Sequence, residues 1–361
     1  MKLHRSFVRI AALLSALCTP FTLCAAGATP PLHKAQAELL VSGLQGASGS
    51  TIGPGGALYV TEGAAGRISR VDPRSGRVTT FASGLPRAVA AIGGAIDVAF
   101  IGKTAYVPVT LVGPDVGGNS VVGIYRVDGP DRFSVVADIG AFSLQHPPNT
   151  PFFIPSGVQY ALEPYRGGFL VSDGHHNRVL RVTRHGEVSE LIAFDNIVPT
   201  GLALSGGKVF VAEAGPVPHL PGDGKVVEFR PKSAKVKQVA AGASLLVDVE
   251  FGRGQRLYAL SQGYFAPGTP EGSSAQPNTG ALGKVQRDGS FSVVAERLNQ
   301  PTSLEFIGDT AYVVSFAGEI WRIDGVSDRT DDAHGNDEGD MADDLDDTDD
   351  AHAQAQPPSA R

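Results

Sequence analysis

The feature that most limits how this chain can fold is a hydrophobic motif that recurs about every fifty residues, the spacing of β-propeller blades. The motif is a short strand pattern with an aromatic residue or a leucine at its centre. In a propeller each repeat forms one antiparallel sheet, and the sheets are arranged in a ring. The six copies are Leu58-Tyr59-Val60, Ala105-Tyr106-Val107, Phe169-Leu170-Val171, Val209-Phe210-Val211, Leu257-Tyr258-Ala259 and Ala311-Tyr312-Val313.

Further strand patterns surround the motif, so each repeat predicts a four-stranded sheet. One precedes the motif across a tight turn that contains glycine, and in most repeats two follow it. The sixth copy lacks a fourth strand, and we expect an unassigned pattern at 37–41 to supply it. We therefore predict an all-β fold, a six-bladed β-propeller closed by an N-terminal strand that completes the last blade, rather than a β-sandwich or a two-domain α/β chain. The first, inner strands are predicted at 49–52, 96–100, 157–160, 201–204, 247–251 and 303–307.

The two ends of the sequence lie outside the repeat. Residues 1–28 combine a basic start, an apolar run and small residues near Ala26, which is the pattern of a secretory signal peptide, and 29–36 follow as a leader. Residues 328–361 carry twelve acidic side chains against two arginines, which predicts an acidic disordered tail over 327–361. The propeller itself is predicted over 37–326.

The formal net charge of -7 arises at these ends. Between them, residues 27–327 carry equal numbers of basic and acidic side chains, so the sequence has no basic footprint for a nucleic-acid partner. Both cysteines, Cys18 and Cys24, lie in the predicted signal peptide, so the mature chain would contain no disulfide and no cysteine nucleophile. We expect a secreted or periplasmic monomer with no transmembrane span after cleavage.

Three segments around the motif resemble the repeats of NHL and gluconolactonase-type six-bladed propellers. The whole predicted propeller, with its Ser-Gly-Leu spacers, most closely resembles the secreted scytonemin-biosynthesis propellers, the ScyD/ScyE family. The resemblance implies the fold and the compartment, but little chemistry, because one propeller scaffold carries many functions. Gluconolactonase-like relatives hold a divalent ion with acids that converge on the propeller axis, so it also implies Ca²⁺ or another divalent cation as a candidate cofactor. The segments are 58–63, 170–179 and 209–215.

Two aspartates share one position when the inner strands are aligned. They belong to repeats two and five, which face each other across a six-fold ring. We predict Asp97 and Asp248 as metal or polar-ligand residues at the central channel, because hard cations prefer oxygen ligands. The alternative is that each carboxylate accepts hydrogen bonds from turn amides. The aligned residues are Gly49, Asp97, Gly157, Gly201, Asp248 and Ser303.

Acids at the ends of the second strands are predicted to reach the same face of the ring. Glu62 and Glu213 are candidate ligand-binding residues, and Asp173 is a candidate catalytic residue. A carboxylate at a strand end also commonly accepts hydrogen bonds from a neighbouring turn, so turn capping is the competing interpretation for all three.

Long loops rich in Gly, Pro, Ser and Asn are predicted on this face, and they carry most of the histidines. His175 is a candidate general base, and His146 and His176 are candidate ligand-binding residues. The competing interpretation makes the segment from His175 to Asn177 a polar hairpin tip. The loop at 145–153 places an aromatic pair beside His146, either as a platform for a ligand or as a hydrophobic lid.

Two functions remain open from the sequence. The first is a binding module that captures a small molecule, a polymer or an envelope protein through the loop-covered face. The second is a metal-dependent hydrolase or lactonase-like enzyme at the channel. Motifs for other chemistries, such as G-x-S-x-G, HExxH, CxxC and GxGxxG, are absent from the sequence. A purely structural envelope protein is a third alternative.

Overall fold

The computed structural model describes residues 35–150, 152–233, 235–266, 268–269 and 273–327. In this part of the chain the strands form six antiparallel sheets that follow one another along the sequence, which confirms the predicted all-β six-bladed propeller. Among these residues no helix has the length and apolar character needed to cross a membrane. The predicted signal peptide, most of the leader and all but the first residue of the predicted acidic tail lie outside the described residues.

Each sheet is one blade, and β1 (Ala37–Val41) precedes the first of them. The strands of blades 1 to 3 are β2 (Ala47–Ile52), β3 (Leu58–Glu62), β4 (Arg67–Val71), β5 (Val78–Ser83), β6 (Gly94–Ala95), β7 (Ala99–Ile101), β8 (Thr104–Thr110), β9 (Gly123–Gly129), β10 (Arg132–Asp138), β11 (Gln159–Tyr165), β12 (Gly168–Asp173), β13 (Arg178–Val182) and β14 (Val188–Ala193). Those of blades 4 to 6 are β15 (Pro199–Ser205), β16 (Lys208–Glu213), β17 (Gly224–Phe229), β18 (Lys237–Ala243), β19 (Leu246–Gly252), β20 (Arg256–Ser261), β21 (Gly280–Val285), β22 (Phe291–Leu298), β23 (Pro301–Ile307), β24 (Thr310–Ser315) and β25 (Glu319–Ile323). The helical elements are α1 (Ile139–Gln145) and single 3₁₀ turns at Pro54–Gly56, Pro114–Val116, Gly174–His176 and Arg253–Gln255.

The ring is closed by strands from the two ends of the folded region. β1 lies antiparallel to β25, with Ala37 opposite Ile323 and Leu39 opposite Trp321. The sixth blade therefore takes its outer strand from the N-terminal side and its other three strands from the C-terminal side, as the missing fourth strand predicts. This pairing also covers the edge of β25, whose backbone groups would otherwise be available to another chain.

The recurrent motif forms the second strand of each blade, and its central residue explains the periodicity. In blade 1 the whole motif is buried, and the Tyr59 ring packs against a ring on the inner strand of the next blade. Contacts between aromatic rings of neighbouring blades stabilise the ring of blades, in addition to the stabilisation that comes from burying apolar area. Such pairs, with their centroid distances, are Tyr59–Phe100 (4.7 Å), Phe210–Phe251 (5.0 Å) and Tyr258–Phe306 (4.9 Å).

The inner strands are irregular at one shared place. In five blades the pairing between the first and second strands shifts register near the start of the inner strand. In blade 2 the irregularity separates β6 from β7. The register aligns Ala161 with Asp97 and Asp248, so the sequence alignment of Gly157 is wrong. Gly157 instead occupies a left-handed turn (φ 77°) before β11 begins.

Candidate functional site

A cavity of about 510 Å³ lies at one end of the central channel. All six blades contribute the same part of their inner strands to its wall, which places it on the propeller axis. Loops around residues 88–93, 152–154 and 273–274 complete the sides. The cavity thus joins the rigid ring to the variable loops, where recognition sites are commonly found. The aligned wall residues are Gly49, Asp97, Ala161, Gly201, Asp248 and Ser303.

Asp97 and Asp248 both line this cavity, and each connects two blades. One carboxylate oxygen accepts the N–H of the next residue at 2.8 Å in both cases. The other oxygen of Asp97 accepts the N–H of Leu162 at 2.8 Å, and that of Asp248 accepts the N–H of Leu304 at 2.7 Å. Each aspartate thus accepts one inner-strand amide of its own blade and one of the next blade.

Glycine precedes each aspartate around the ring because the two residues approach closely. A Cβ atom on Gly49 would lie 2.3 Å from Oδ1 of Asp97, and one on Gly201 would lie 2.4 Å from Oδ1 of Asp248. Gly49 and Gly201 therefore leave room for the aspartates of the blades that follow them.

Three glutamates lie deeper in the channel, and the sequence reasoning missed them. Glu163, Glu250 and Glu305 come two residues after the aligned position in blades 3, 5 and 6, on the same side of their strands. Burial, reinforced by the charge of Asp248, raises the pKa of Glu163 to about 8. Burial and mutual repulsion also raise the pKa of Glu250 and of Glu305. The sequence signal that could have identified them is that each glutamate lies two residues after the aligned position, on the same side of its strand.

The same causes act on the two aspartates. Burial raises the pKa of both, although backbone hydrogen bonds oppose the rise. The charge of Asp248 contributes further to the raised pKa of Asp97, which means that the two carboxyl groups interact across the channel. The five carboxyl groups of these aspartates and glutamates therefore influence one another's pKa values along the central channel.

An aromatic and histidine cluster forms one wall of the cavity. The Phe152 ring stacks on His175 with centroids 4.3 Å apart and an angle of 6° between the planes. His219 stacks on Phe265 at 6.0 Å, and the two histidine rings are 6.4 Å apart. Phe153 also lines the cavity and is 74% exposed. The aromatic pair in loop 145–153 thus serves as part of the cavity wall.

His175 is neutral near pH 7. Burial and the neighbouring histidines lower its pKa to about 4, because both disfavour the imidazolium. Its Nε2 atom and the Tyr160 hydroxyl form a 3.1 Å hydrogen bond, and both residues line the cavity. Burial raises the pKa of Tyr160. The pair therefore presents an uncharged hydrogen-bonded unit to the cavity.

Asp173 and His176 belong to a buried network beneath this wall. Asp173 accepts hydrogen bonds from Arg178 Nε at 2.8 Å and from Gln159 Nε2 at 3.0 Å, and it contacts His176 Nδ1 at 3.1 Å. Arg178 is itself almost completely buried. Such an ion pair fixes geometry, since loss of either partner leaves a buried charge uncompensated. The network holds the 3₁₀ turn that carries His175.

Arg178 also ties the loop of blade 2 to blade 3. Its Nη1 donates to the carbonyl of His146 at 2.8 Å, and its Nη2 donates to Ser143 Oγ at 3.0 Å. The exposed His146 ring stacks on Phe142 at 4.2 Å, and does not line the cavity. The backbone rather than the imidazole of His146 therefore takes part in the network.

Glu62 and Glu213 occupy strand ends equivalent to Asp173. Glu62 is buried and receives two hydrogen bonds from Arg67, at 2.7 and 2.8 Å, and one from Ser69. Burial alone would raise its pKa, but these bonds lower it. Burial raises the pKa of Glu213 to about 7, and the charge of Lys225 opposes this. Each acid pairs in register with a basic residue on the third strand, an arrangement that stabilises the hairpin.

Three of the eight sequence-predicted residues thus line the cavity, namely Asp97, Asp248 and His175. The other five lie outside its lining, in the contacts just described. The ligand-binding and catalytic roles assigned from the sequence remain predictions. An acid followed five residues later by arginine, as in Glu62 and Asp173, is the sequence signal that favours hairpin pairing instead.

The family resemblance implies a divalent cation, for which Asp97 and Asp248 are the predicted ligands. Within the described residues, no group of three or more His, Cys, Asp or Glu side chains is placed to hold a metal ion. Both oxygens of Asp97 and of Asp248 already accept backbone N–H groups. This arrangement fits the bridging of blades better than metal ligation, so no chemical step is derived through a metal. Ligation by Asp97 and Asp248 remains a prediction.

The ring of six blades with an axial cavity is the fold of gluconolactonase-like propellers. A gluconolactonase from Xanthomonas campestris superposes with a TM-score of 0.55 at 12% identity, over 80% of this chain and 89% of its own. PQQ-bound aldose sugar dehydrogenase from Streptomyces coelicolor gives 0.52 at 14% identity, over 81% and 98%. Virginiamycin B lyase from Staphylococcus aureus gives 0.50 at 14%, over 81% and 99%.

The likeness to these structures establishes the fold alone. Their names cover a lactonase, a dehydrogenase and a lyase, so a shared architecture does not select one activity. No family model matches this chain, and no curated protein matches its sequence. The narrower resemblance to the ScyD/ScyE propellers therefore stays a prediction.

Proposed function

We propose that this protein is a secreted or periplasmic binding propeller that captures a small molecule in the axial cavity. The observation that carries the proposal is the cavity of about 510 Å³ with an aromatic wall. Small-molecule sites commonly have volumes of roughly 300–1,000 Å³ and mostly apolar linings with a few polar groups. Here the polar groups are the channel carboxyls and the pair formed by Tyr160 and His175.

Capture of a small molecule is favoured over a polymer or an envelope protein because the cavity is confined on the axis and walled on all sides by the blades. The secreted or periplasmic location rests on the signal-peptide pattern of residues 1–28. The narrower proposal, a ScyD/ScyE-like propeller that acts as a monomer, rests on the repeat segments and spacers of the sequence.

The proposal is tested by filling the mouth of the cavity. Ala91 is exposed and lines the cavity, whereas Ala193 is exposed on the outer strand β14. We expect Ala91→Trp to reduce the fluorescence enhancement of the neutral apolar probe N-phenyl-1-naphthylamine by at least fivefold, and Ala193→Trp to leave it unchanged. Equal binding to both variants, or no binding to the unmodified protein, would contradict the proposal.

A second candidate is a metal-dependent hydrolase or lactonase-like enzyme. The observation that favours it is the hydrogen bond between Tyr160 and neutral His175 at the cavity wall, since an uncharged imidazole is able to accept a proton. Addition of Ca²⁺ or Mn²⁺ should then raise the melting temperature of the protein, and Asp97→Asn or Asp248→Asn should abolish the rise. An unchanged melting temperature in all three proteins rejects the metal enzyme.

A further inference from the structure

The charge of the axial cavity is one-sided. Its lining includes the acidic residues Asp97, Asp115 and Asp248, and none of the described residues that line it is lysine or arginine. Asp115 accepts the N–H of Ser156 at 3.0 Å, so it lies near the loops rather than on the axis. The end of the cavity nearest the channel is therefore acidic, without a basic residue beside it.

Near this end of the cavity, the carboxyl group of Glu163 lacks a hydrogen-bond donor among the described residues. The Glu163 side chain is partly buried, and no described residue donates a hydrogen bond to its carboxyl group. By contrast, Asp97 and Asp248 receive backbone N–H groups, and Glu250 receives one from Phe251 at 3.2 Å. A carboxyl group that has no donor within the protein and is still partly accessible is available to a donor supplied from outside the chain.

Glu163 also stands directly below the cavity. It is two residues beyond the wall residue Ala161 on β11, a distance of roughly 6 to 7 Å along a strand. Asp248 lies on the level of Ala161 in the ring, and its charge contributes to the raised pKa of Glu163. A positive charge placed between them would remove that repulsion and supply the absent donor.

The aromatic wall of the cavity has a different chemistry. The stacked pairs Phe152–His175 and His219–Phe265 offer ring faces, and Phe153 extends the apolar surface to the mouth. An apolar group gains from burial against these rings, and a cation gains from a nearby aromatic face. A molecule in the cavity would meet aromatic rings along this wall and carboxyl groups at the end nearest the channel.

We infer that the ligand of this cavity is an amine with an apolar body, whose ammonium group sits between Asp248 and Glu163 and whose body lies along the aromatic wall. The inference rests on the proposed function, because it names the chemical class of the captured molecule. It adds the direction in which that molecule lies along the axis.

Three probes of one shape separate the inference from the proposed function. 4-Phenylbutylamine is cationic, 4-phenylbutanol is neutral and 4-phenylbutyrate is anionic, and calorimetry gives the affinity of each for the full chain. We expect the amine to bind at least tenfold more tightly than the alcohol, and the carboxylate to bind more weakly than both. If the alcohol equals the amine, the inference fails and the proposed function stands. If none of the three binds, the proposed function fails.

Conservative variants locate the charge. Glu163→Gln should weaken amine binding about tenfold and change alcohol binding less than twofold, because only the cation uses the carboxylate. Glu187→Gln, on the exposed outer turn of blade 3, is the matched control and should change neither. An unchanged amine affinity in Glu163→Gln, or an equal loss for amine and alcohol, would overturn the placement of the ammonium group.

Discussion

Replacing Glu163 with glutamine should stabilise the folded protein at alkaline pH and leave it nearly unchanged near pH 4. Its carboxyl group has a pKa of about 8 in the folded protein and 4.5 as an ordinary glutamate. Between these values the unfolded chain releases a proton that the folded chain retains. The free energy of unfolding must therefore fall as the pH rises through this window and level off above pH 8.

The size of the effect follows from the difference in pKa. Each pKa unit corresponds to about 1.4 kcal/mol, so the penalty above pH 8 is at most about 5 kcal/mol. Water in the channel screens part of it, and we expect about 2 to 3 kcal/mol. Glutamine has the shape of the neutral acid and never ionises, so Glu163→Gln should regain this amount at pH 8.5 and almost none at pH 4.5.

Urea unfolding at pH 4.5, 6, 7.5 and 8.5, monitored by the single tryptophan, Trp321, measures the difference between the two proteins. Glu187→Gln on the exposed turn corrects for loss of a surface charge. A Glu163→Gln variant that is less stable at pH 8.5, or whose advantage does not vary with pH, would refute the reasoning.

Three other predictions concern the supports of the ring. Arg178→Met should cost about 3 to 5 kcal/mol in urea unfolding, because Asp173 would remain charged and buried without its partner; Asp173→Asn combined with it should recover part of the loss. Gly49→Ala should lower the melting temperature by several degrees, since the new Cβ atom would overlap Asp97. Deletion through Val41 removes β1 and exposes the edge of β25, so size-exclusion chromatography should show self-association.

The fold could be predicted from the sequence because its signal is local and repeated. In copies such as those centred on Tyr59 and Phe210, the central ring packs between one blade and the next. The absent fourth strand of the last repeat was equally informative. It required a partner from elsewhere in the chain, and the pattern at 37–41 was the available one.

The candidate site was harder to predict because the inner strands do not alternate regularly. The shifted register moved the aligned position in blade 3 from Gly157 to Ala161, and with it hid the relation of Glu163 to Asp248. The contacts of Asp173 were hard to foresee for a different reason. Its position at a strand end was visible, whereas its neutralisation by Arg178 becomes evident only when the hairpin pairing is considered.

The net charge of the folded region does not indicate how its charged residues are distributed in space. The region between the predicted signal peptide and the acidic tail is neutral overall, which gives no reason to expect an acidic site. The propeller nevertheless separates its charges, because arginines pair with acids in the hairpins while the described lining of the axial cavity contains Asp97, Asp115 and Asp248 and no lysine or arginine. A neutral body with an acidic axis will attract a cation only at short range, where dissolved salt screens a partly buried pair of charges much less than an exposed one. Selectivity for an amine should therefore persist at high salt, and a strong loss of that selectivity between 0.05 and 1 M NaCl would place the amine on the surface instead.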